Sequence, residues 1–545
     1  MNKTEQISRR SFLTAAAAAT LTAGCSVSAG GRKPVSKLVK RKPNIVFFIA
    51  DDMHPKNFNC LPQGKGKNLT PNIDRLAKEG VIMTGQHVAS PICTPSRYNV
   101  LTGRYASRAQ NHFFKQRTAA EGQTVVEFNT HILKTDVTLA KLLQKAGYVT
   151  GMVGKNHVIQ VSGLKRFRNF DASAKDPKNA ATLKANHEHV RQAIRETGFD
   201  YVDRVYHNNP NFLGLHEVAV QNMEWITEGG LNFIDKNRDK PFFLYLATTV
   251  PHHPTDAKHS WNANPLISAV GYLQTAPKVQ PPRSTIPKRL KAAGLPVNGH
   301  TTNMLWLDDA VGALLDKLEK TGQLDNTVFF FFSDHGQSAK GTVYQGGVHD
   351  PSIVWRKGGF PCGPKSDALV HIVDFAPTIL DVAGYDYSRA KFDGESFLPQ
   401  LKGEPQKANR VLYFELGYTR AVRKGKWKYL AVRYPERVKE MSMEERKKVL
   451  DKWNAARRRR HLPIVTKDPT AKFSHLTPIP GGGHAEAAST GTYPGYHDRD
   501  QLYDLSKDPT EQKNIATDPK YKQKLKEMKQ ELQNILDTLP GKFKL

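Results

Sequence analysis

Four stretches of this chain are apolar almost without interruption, and each stops abruptly at polar residues. They run from Ile45 to Ala50, Val149 to Val153, Pro241 to Val250 and Val328 to Ser333. Short runs rich in β-branched and aromatic residues predict strands buried on both faces. Between them the period changes. Thr138 to Gly147 and Asn303 to Lys320 set apolar residues three and four apart, which predicts amphipathic helices. Thr70-Pro71-Asn72-Ile73-Asp74 opens another helix. Strands alternating with helices predict an α/β domain over residues 43–400. Beyond it, Val411 to Glu415 and Arg420 to Lys428 read as short strands, residues 440–460 as a very basic helix, 478–497 as a long loop, and 519–538 as a final amphipathic helix. These make a smaller C-terminal α+β subdomain over residues 401–545.

The residues that end the apolar runs carry the chemistry. Asp51-Asp52 follows the first, Gly154-Lys155-Asn156-His157 the second, Pro251-His252-His253-Pro254 the third and Asp334-His335-Gly336 the fourth. An open α/β sheet places its site in the crevice outside its strand ends. Adjacent carboxylates repel unless a cation or hydrogen-bond donors hold them. Lys155 and His157, two apart on an extended backbone, face the same way. One is a fixed positive charge and the other a proton carrier near neutral pH. Cys93 stands beside a predicted helix start, where Thr94 is expected to cap, Pro95 to take the first helical position and Gly103 to end the segment. A cysteine there faces unpaired N–H groups and the positive helix end. Arg97 lies about one turn on. Each of these residues alone also has a plainer reading: solvated acids, surface bases, a buried thiol.

The pentapeptide Cys93-Thr94-Pro95-Ser96-Arg97, continuing to Leu101-Thr102-Gly103-Arg104, resembles the signature of the type I sulfatases. In that family the cysteine is oxidised to formylglycine, whose hydrated aldehyde is the nucleophile. The Gly-Lys-x-His, Pro-His-x-Pro and Leu-Tyr-Asp-Leu-x-x-Asp-Pro patterns recur here at Gly154, Pro251 and Leu502. The resemblance covers roughly residues 42 to 430, with a closing segment near 500. It implies an alkaline-phosphatase-like fold, a large mixed sheet sandwiched by helices, and hydrolysis of sulfate esters. It implies one calcium ion held by Asp51, Asp52 and Asp334, with modified Cys93 supplying an oxygen. His335 either completes the shell or bonds to a sulfate oxygen. Lys155, Lys340 and Arg97 would neutralise the sulfate, His252 would act as general acid with Lys340, and His157 would take the proton that re-forms the aldehyde. His252 and Lys340 would also bind substrate. Around Lys340 the chain departs from the family pattern: Ala339 replaces a glycine, Gln345 a glutamate and His349 an arginine. A phosphate-ester hydrolase of the same superfamily and a lipid-anchored binder of sulfated glycans are the alternatives.

Charge narrows the substrate. The 545 residues carry a formal net charge of +29, a field that concentrates anions. No nucleic-acid module is visible, so nucleic acid is not expected as a partner, and sulfated polysaccharides or oligosaccharides suit the field. Ser8-Arg9-Arg10-Ser11-Phe12-Leu13 and the alanine-rich run behind it resemble a twin-arginine export signal. Leu21-Thr22-Ala23-Gly24-Cys25 resembles a bacterial lipobox with Cys25 as the acylated residue, so residues 1–25 are read as a signal and 26–42 as a basic tether. Membrane contact is expected only through that lipid, on an exported periplasmic or cell-surface lipoprotein of a bacterium. A formylglycine-generating enzyme is the expected maturation partner. Of the four cysteines, Cys60 and Cys362 either pair or stay free. The loop at residues 207–212 is a possible rim of the pocket, and Arg457 to Arg460 are either a solvated face or a polyanion contact.

Overall fold

Strand β1 (Asn44–Asp51) is buried along its whole length, and its side chains alternate between two cores. Ile45, Phe47 and Ile49 enter one, and Val46, Phe48 and Ala50 the other, as a pleat of period two requires. The structure, a computed structural model, describes residues 41–459, 462–483, 485–487 and 489–545. The export signal, Cys25, the tether through Lys40 and Arg460 lie outside the described residues.

β1 is central in an eight-stranded sheet. The other strands are β2 (Val81–Met83), β3 (Val149–Lys155), β4 (Tyr201–Tyr206), β5 (Phe242–Pro251), β6 (Thr327–Ser333), β7 (Ser352–Arg356) and β8 (Lys365–Ser366), in the order β8-β2-β7-β6-β1-β5-β3-β4. β6, β1, β5, β3 and β4 run parallel, while β7 is antiparallel to β6 and to β2. The sheet is therefore mixed, and its parallel centre explains the unbroken apolar runs. Helices cover both faces. α1 (Pro71–Glu79), α4 (Met223–Lys236) and α5 (Gly299–Lys320) pack on one, and α2 (Cys93–Thr102) and α3 (Leu139–Lys145) on the other. Asp308 of α5 accepts the N–H groups of Asn72 and Ile73, at 3.2 and 2.8 Å, so this acid caps the start of α1.

The second sheet is antiparallel, β9 (Val411–Leu416), β10 (Thr419–Lys424), β11 (Trp427–Val432) and β12 (Asp500–Asp504). The predicted strand from Arg420 to Lys428 is in fact two. Lys424 pairs with Trp427 across a tight turn, and Gly425 takes φ 55° there, a conformation glycine adopts without strain. α6 (Met443–Arg458) starts on a Ser442–Glu445 capping box, and α7 (Lys522–Leu536) packs Met528 and Leu532 onto the outer face of the sheet. Leu412, Phe414, Leu416, Ala421 and Leu430 on its inner face join the core under the large sheet, and residues 41–545 form one compact unit. Cys60 and Cys362 are free thiols. Among the described residues, no helix is long and apolar enough to cross a membrane.

Candidate active site

Four adjacent parallel strands, β6, β1, β5 and β3, end at one edge of the sheet. The polar ends predicted from the sequence therefore meet. Asp52 and His157 turn out of their strands with φ 67° and 55°. Left-handed backbone at residues other than glycine is uncommon and concentrates at functional sites. Gly154 precedes Lys155 because nothing larger fits: a Cβ there would stand 1.8 Å from the Ala247 carbonyl oxygen of β5.

All ten residues of α2 are buried. The helix begins two residues earlier than expected, with Ile92 at the cap, Cys93 first and Pro95 third. Thr94 does not cap; its hydroxyl has no partner. Proline is accommodated at the third position because the first turn has no use for its N–H. Gly103 ends the helix at φ 62°, its N–H donating to Asn99 O at 2.8 Å. This start sets the Cys93 side chain among the acids: Sγ is 3.5 Å from Asp51 Oδ1 and 3.6 Å from His335 Nε2. The Ser96 hydroxyl donates to the Asp334 backbone carbonyl. Ligand atoms of Asp52, Cys93, Asp334 and His335 all lie within 4.8 Å of one another.

Cations answer each acid. Lys155 Nζ is 2.6 Å from Asp51 Oδ2, with both side chains fully buried. Arg97 Nη2 lies 3.4 Å from Asp51 Oδ1 and 3.1 Å from Asp334 Oδ2. Lys340 donates to both Asp52 oxygens, at 2.6 and 2.8 Å. His335 Nε2 is 3.0 Å from Asp52 Oδ1 and 3.6 Å from Asp334 Oδ1, and His252 Nε2 is 3.5 Å from Asp52 Oδ2. Burial alone would raise the carboxylate pKa values. Lys340, His252 and His335 outweigh it at Asp52, and His335, Arg97 and Lys155 at Asp334, so both are held well below the usual carboxylate range. His335 is opposed by burial and raised by Asp334 and Asp52, which favours its protonated form. Burial, then Asp334, raises the Cys93 thiol, so as an unmodified cysteine it is a poor nucleophile. Burial, with Lys155 and Arg97 nearby, holds His157 neutral.

Asp51, Asp52, Cys93, Arg97, Lys155, His252, Asp334, His335 and Lys340 are thus linked in one network. His157 stands beside it without a direct bond to it in this structure. Its ring stacks against half-exposed Phe128, with centroids 5.9 Å apart, and its buried Nδ1 has no partner. The side chains of Gln345 and His349 do not bond each other, although the His349 N–H donates to Gln345 O at 2.9 Å. Gln345 Oε1 is 3.2 Å from His87 Nε2, and His349 Nε2 is 2.7 Å from Thr84 O, which accepts from it. Sequence reasoning passed over Phe128 and Asp350, and took the loop at residues 207–212 as a rim without singling out Asn209. Asn209 Nδ2 is 3.0 Å from His252 Nδ1. Asp350 is buried near His335 with one oxygen unpartnered. None sits at the end of an apolar run. The signal within reach was position: Asn209 in the loop after β4, and Asp350 directly behind His349.

The sequence model of the sulfatase family matches residues 43–385. An ulvan-active sulfatase of Formosa agariphila is 26% identical over 93% of this chain and 77% of its own length. A solved structure from work on glycosaminoglycan metabolism by Bacteroides thetaiotaomicron superimposes with TM-score 0.58 at 22% identity, covering 91% of this chain and 99% of that one. A phosphonate monoester hydrolase from Silicibacter pomeroyi shares the fold with TM-score 0.53 at 17% identity, covering 92% and 96%. A matching family model over more than half of the chain, around a buried Asp-Cys-Asp-His cluster, makes this chain a member of the type I, formylglycine-dependent sulfatases of the alkaline-phosphatase-like superfamily, and so a sulfuric ester hydrolase.

Proposed function

We propose that the protein releases sulfate from sulfated polysaccharides or oligosaccharides, using formylglycine derived from Cys93 and one calcium ion. The observation that carries this reading is the convergence of Asp52, Cys93, Asp334 and His335 within 4.8 Å, flanked by Lys155 and Lys340. The residues fit both groups. Carboxylate oxygens are the hard ligands calcium prefers, and Asp51, Asp52 and Asp334 offer them. Cys93 begins a helix beside those acids, while its thiol is unsuited to attack.

When present, formylglycine supplies a hydroxyl nucleophile and the cation draws charge from the sulfate. Arg97, Lys155 and Lys340 supply fixed positive charge as negative charge builds on the ester oxygens. His335 completes the cation shell or faces a sulfate oxygen. His252 directs Nε2 to the leaving oxygen and gives it a proton, with Lys340 in support. His157, neutral and with Nδ1 unpaired, accepts the proton whose loss frees the product.

The glycan substrate is supported by the net charge of +29 and by the ulvan-active relative. The leader and Cys25 support an exported bacterial lipoprotein held to the membrane by its acyl chains. The test is expression with a formylglycine-generating enzyme, mass analysis of the peptide holding residue 93, and sulfate release from defined sulfated oligosaccharides. The expected result is an aldehyde at position 93 and sulfate release from at least one oligosaccharide. Hydrolysis of matched aryl phosphates in preference to aryl sulfates would favour the phosphate-ester reading. An unmodified thiol from a converting host, together with tight glycan binding, would favour the binder.

A further inference from the structure

The His252 ring is held from the side away from the acids. Its Nδ1 lies 2.9 Å from the backbone carbonyl of His253 and 3.0 Å from the Asn209 carboxamide. A backbone carbonyl only accepts, so Nδ1 carries a hydrogen, and a second group facing that nitrogen has to be an acceptor as well. Asn209 is 2% exposed, and its amide oxygen is otherwise buried without a partner. The atom placed at 3.0 Å is Nδ2; a half-turn of the carboxamide, an assignment made from hydrogen-bond partners, brings the oxygen to Nδ1–H and moves Nδ2 to the oxygen's former place.

The loop that carries Asn209 is fastened beside the site. Asn156 N–H and His157 N–H donate to Tyr206 O and His207 O, each at 2.9 Å, and Asn209 N–H donates to Asn208 Oδ1 at 2.7 Å. On the other side Gln221, fully buried, donates from Nε2 to His252 O at 3.0 Å. Backbone and ring of His252 are thus fixed independently, one by Gln221 and one by Asn209.

We infer that Asn209 is a positioning residue for the sulfatase reaction: its amide oxygen accepts from His252 Nδ1–H and fixes Nε2 as the nitrogen that exchanges a proton with the leaving oxygen. The inference rests on the general-acid reading of His252. A group holding Nδ1–H orients the ring and supports the charge it carries before donating. Its value depends on how much the leaving group needs that proton. Sugar alcohols are poor leaving groups and need it; nitrophenolate needs it little.

The test compares Asn209→Ala and Asn209→Asp in the fully matured enzyme, each checked for wild-type thermal unfolding. The substrates are aryl sulfates of graded phenol acidity and one sulfated sugar that the wild type cleaves. Asn209→Ala is expected to slow the sugar ester about 10- to 100-fold, the rate equivalent of a hydrogen bond to a charged group, while nitrophenyl sulfate changes little. Asn209→Asp, which keeps an acceptor, is expected to restore the sugar rate. In a His252→Ala background, Asn209→Ala is expected to add nothing. Equal slowing of all substrates, full additivity with His252→Ala, or no rescue by Asp overturns the proposal. An activity-independent arm reads the wild type by nitrogen NMR of labelled histidine, with the His252 signals assigned through His252→Ala. A protonated Nδ1 supports the proposal, and an Nδ1 without hydrogen overturns it. A matured wild type that releases no sulfate contradicts the proposed function and leaves the NMR result to decide the role of Asn209.

Discussion

Replacing Arg97 by methionine tests whether the acids form one coupled cation-binding cluster. Arg97 is fully buried and spans Asp51 and Asp334 at 3.4 and 3.1 Å. Methionine fills much of the volume without the charge. The two carboxylates are affected unequally. Asp51 keeps Lys155 at 2.6 Å. Asp334 keeps direct contacts with the Asp52 N–H at 3.2 Å and His335 at 3.6 Å, and the field of Lys155 from farther off. The loss therefore falls on Asp334, and removing one partner of a buried ion pair costs about 3–5 kcal/mol. We expect a loss near the lower end, about 3 kcal/mol, because His335 remains. The assay is urea denaturation of the unmatured protein with calcium and with a chelator. Calcium is expected to stabilise Arg97→Met more than the parent, since the cation takes over the neutralisation that arginine gave. The pH dependence has a definite sign. The neighbouring cations depress the Asp334 pKa, so their contribution is present above the ordinary aspartate range and fades as pH falls through and below it. The difference between variant and parent should shrink on acidification. A loss under about 1 kcal/mol, at the level of an exposed pair, with no added response to calcium, would refute the coupling.

Three further outcomes follow from the same structure. Lys340→Ala removes the group that clamps both Asp52 oxygens and is expected to lower kcat on matured enzyme by about 100- to 1,000-fold, as loss of one preorganised charge-stabilising donor does; steady-state sulfate release measures it. Glu486 is raised from 4.5 to about 8 by burial, so its stabilising contribution holds at low pH and is lost as pH rises from about 4.5 toward 8. Glu486→Gln is accordingly expected to stabilise the fold by about 3 kcal/mol at pH 7 and by little at pH 4, read as unfolding midpoints across pH. His371 and His475 are buried and depressed to about 3, so each stays neutral when folded but protonates when unfolded below pH 6.5. Together they should remove about 4 kcal/mol of stability between pH 8 and pH 5, a loss that His371→Gln halves.

The strand ends were legible because two signals coincide there: an apolar run that fills both cores, and polar residues that cannot enter them. Asp51, Lys155, His252 and Asp334 all follow that rule, and parallel pairing of β6, β1, β5 and β3 brings them to one edge. Cys93 and Arg97 were legible through the signature pentapeptide, although the helix starts one residue before the expected cap. What sequence did not disclose comes from contacts without local periodicity. Asn209 meets His252 only because the loop after β4 is tied to the extension of β3. Phe128 meets His157 from a segment with no regular pattern. The hairpin at Gly425 was read as one strand because a single glycine is all that marks the reversal. The roles of His157 and His252 in proton transfer came from the family resemblance; the geometry gives their neighbours and burial.

The most direct measurement pairs the mass of residue 93 with sulfate release from sulfated oligosaccharides in the same calcium-replete preparation. A formylglycine at position 93, sulfate release in proportion to its occupancy, and none from Cys93→Ala are the expected results. Full conversion at position 93 with no sulfate released from any sulfate ester, aryl or sugar, would contradict the assignment.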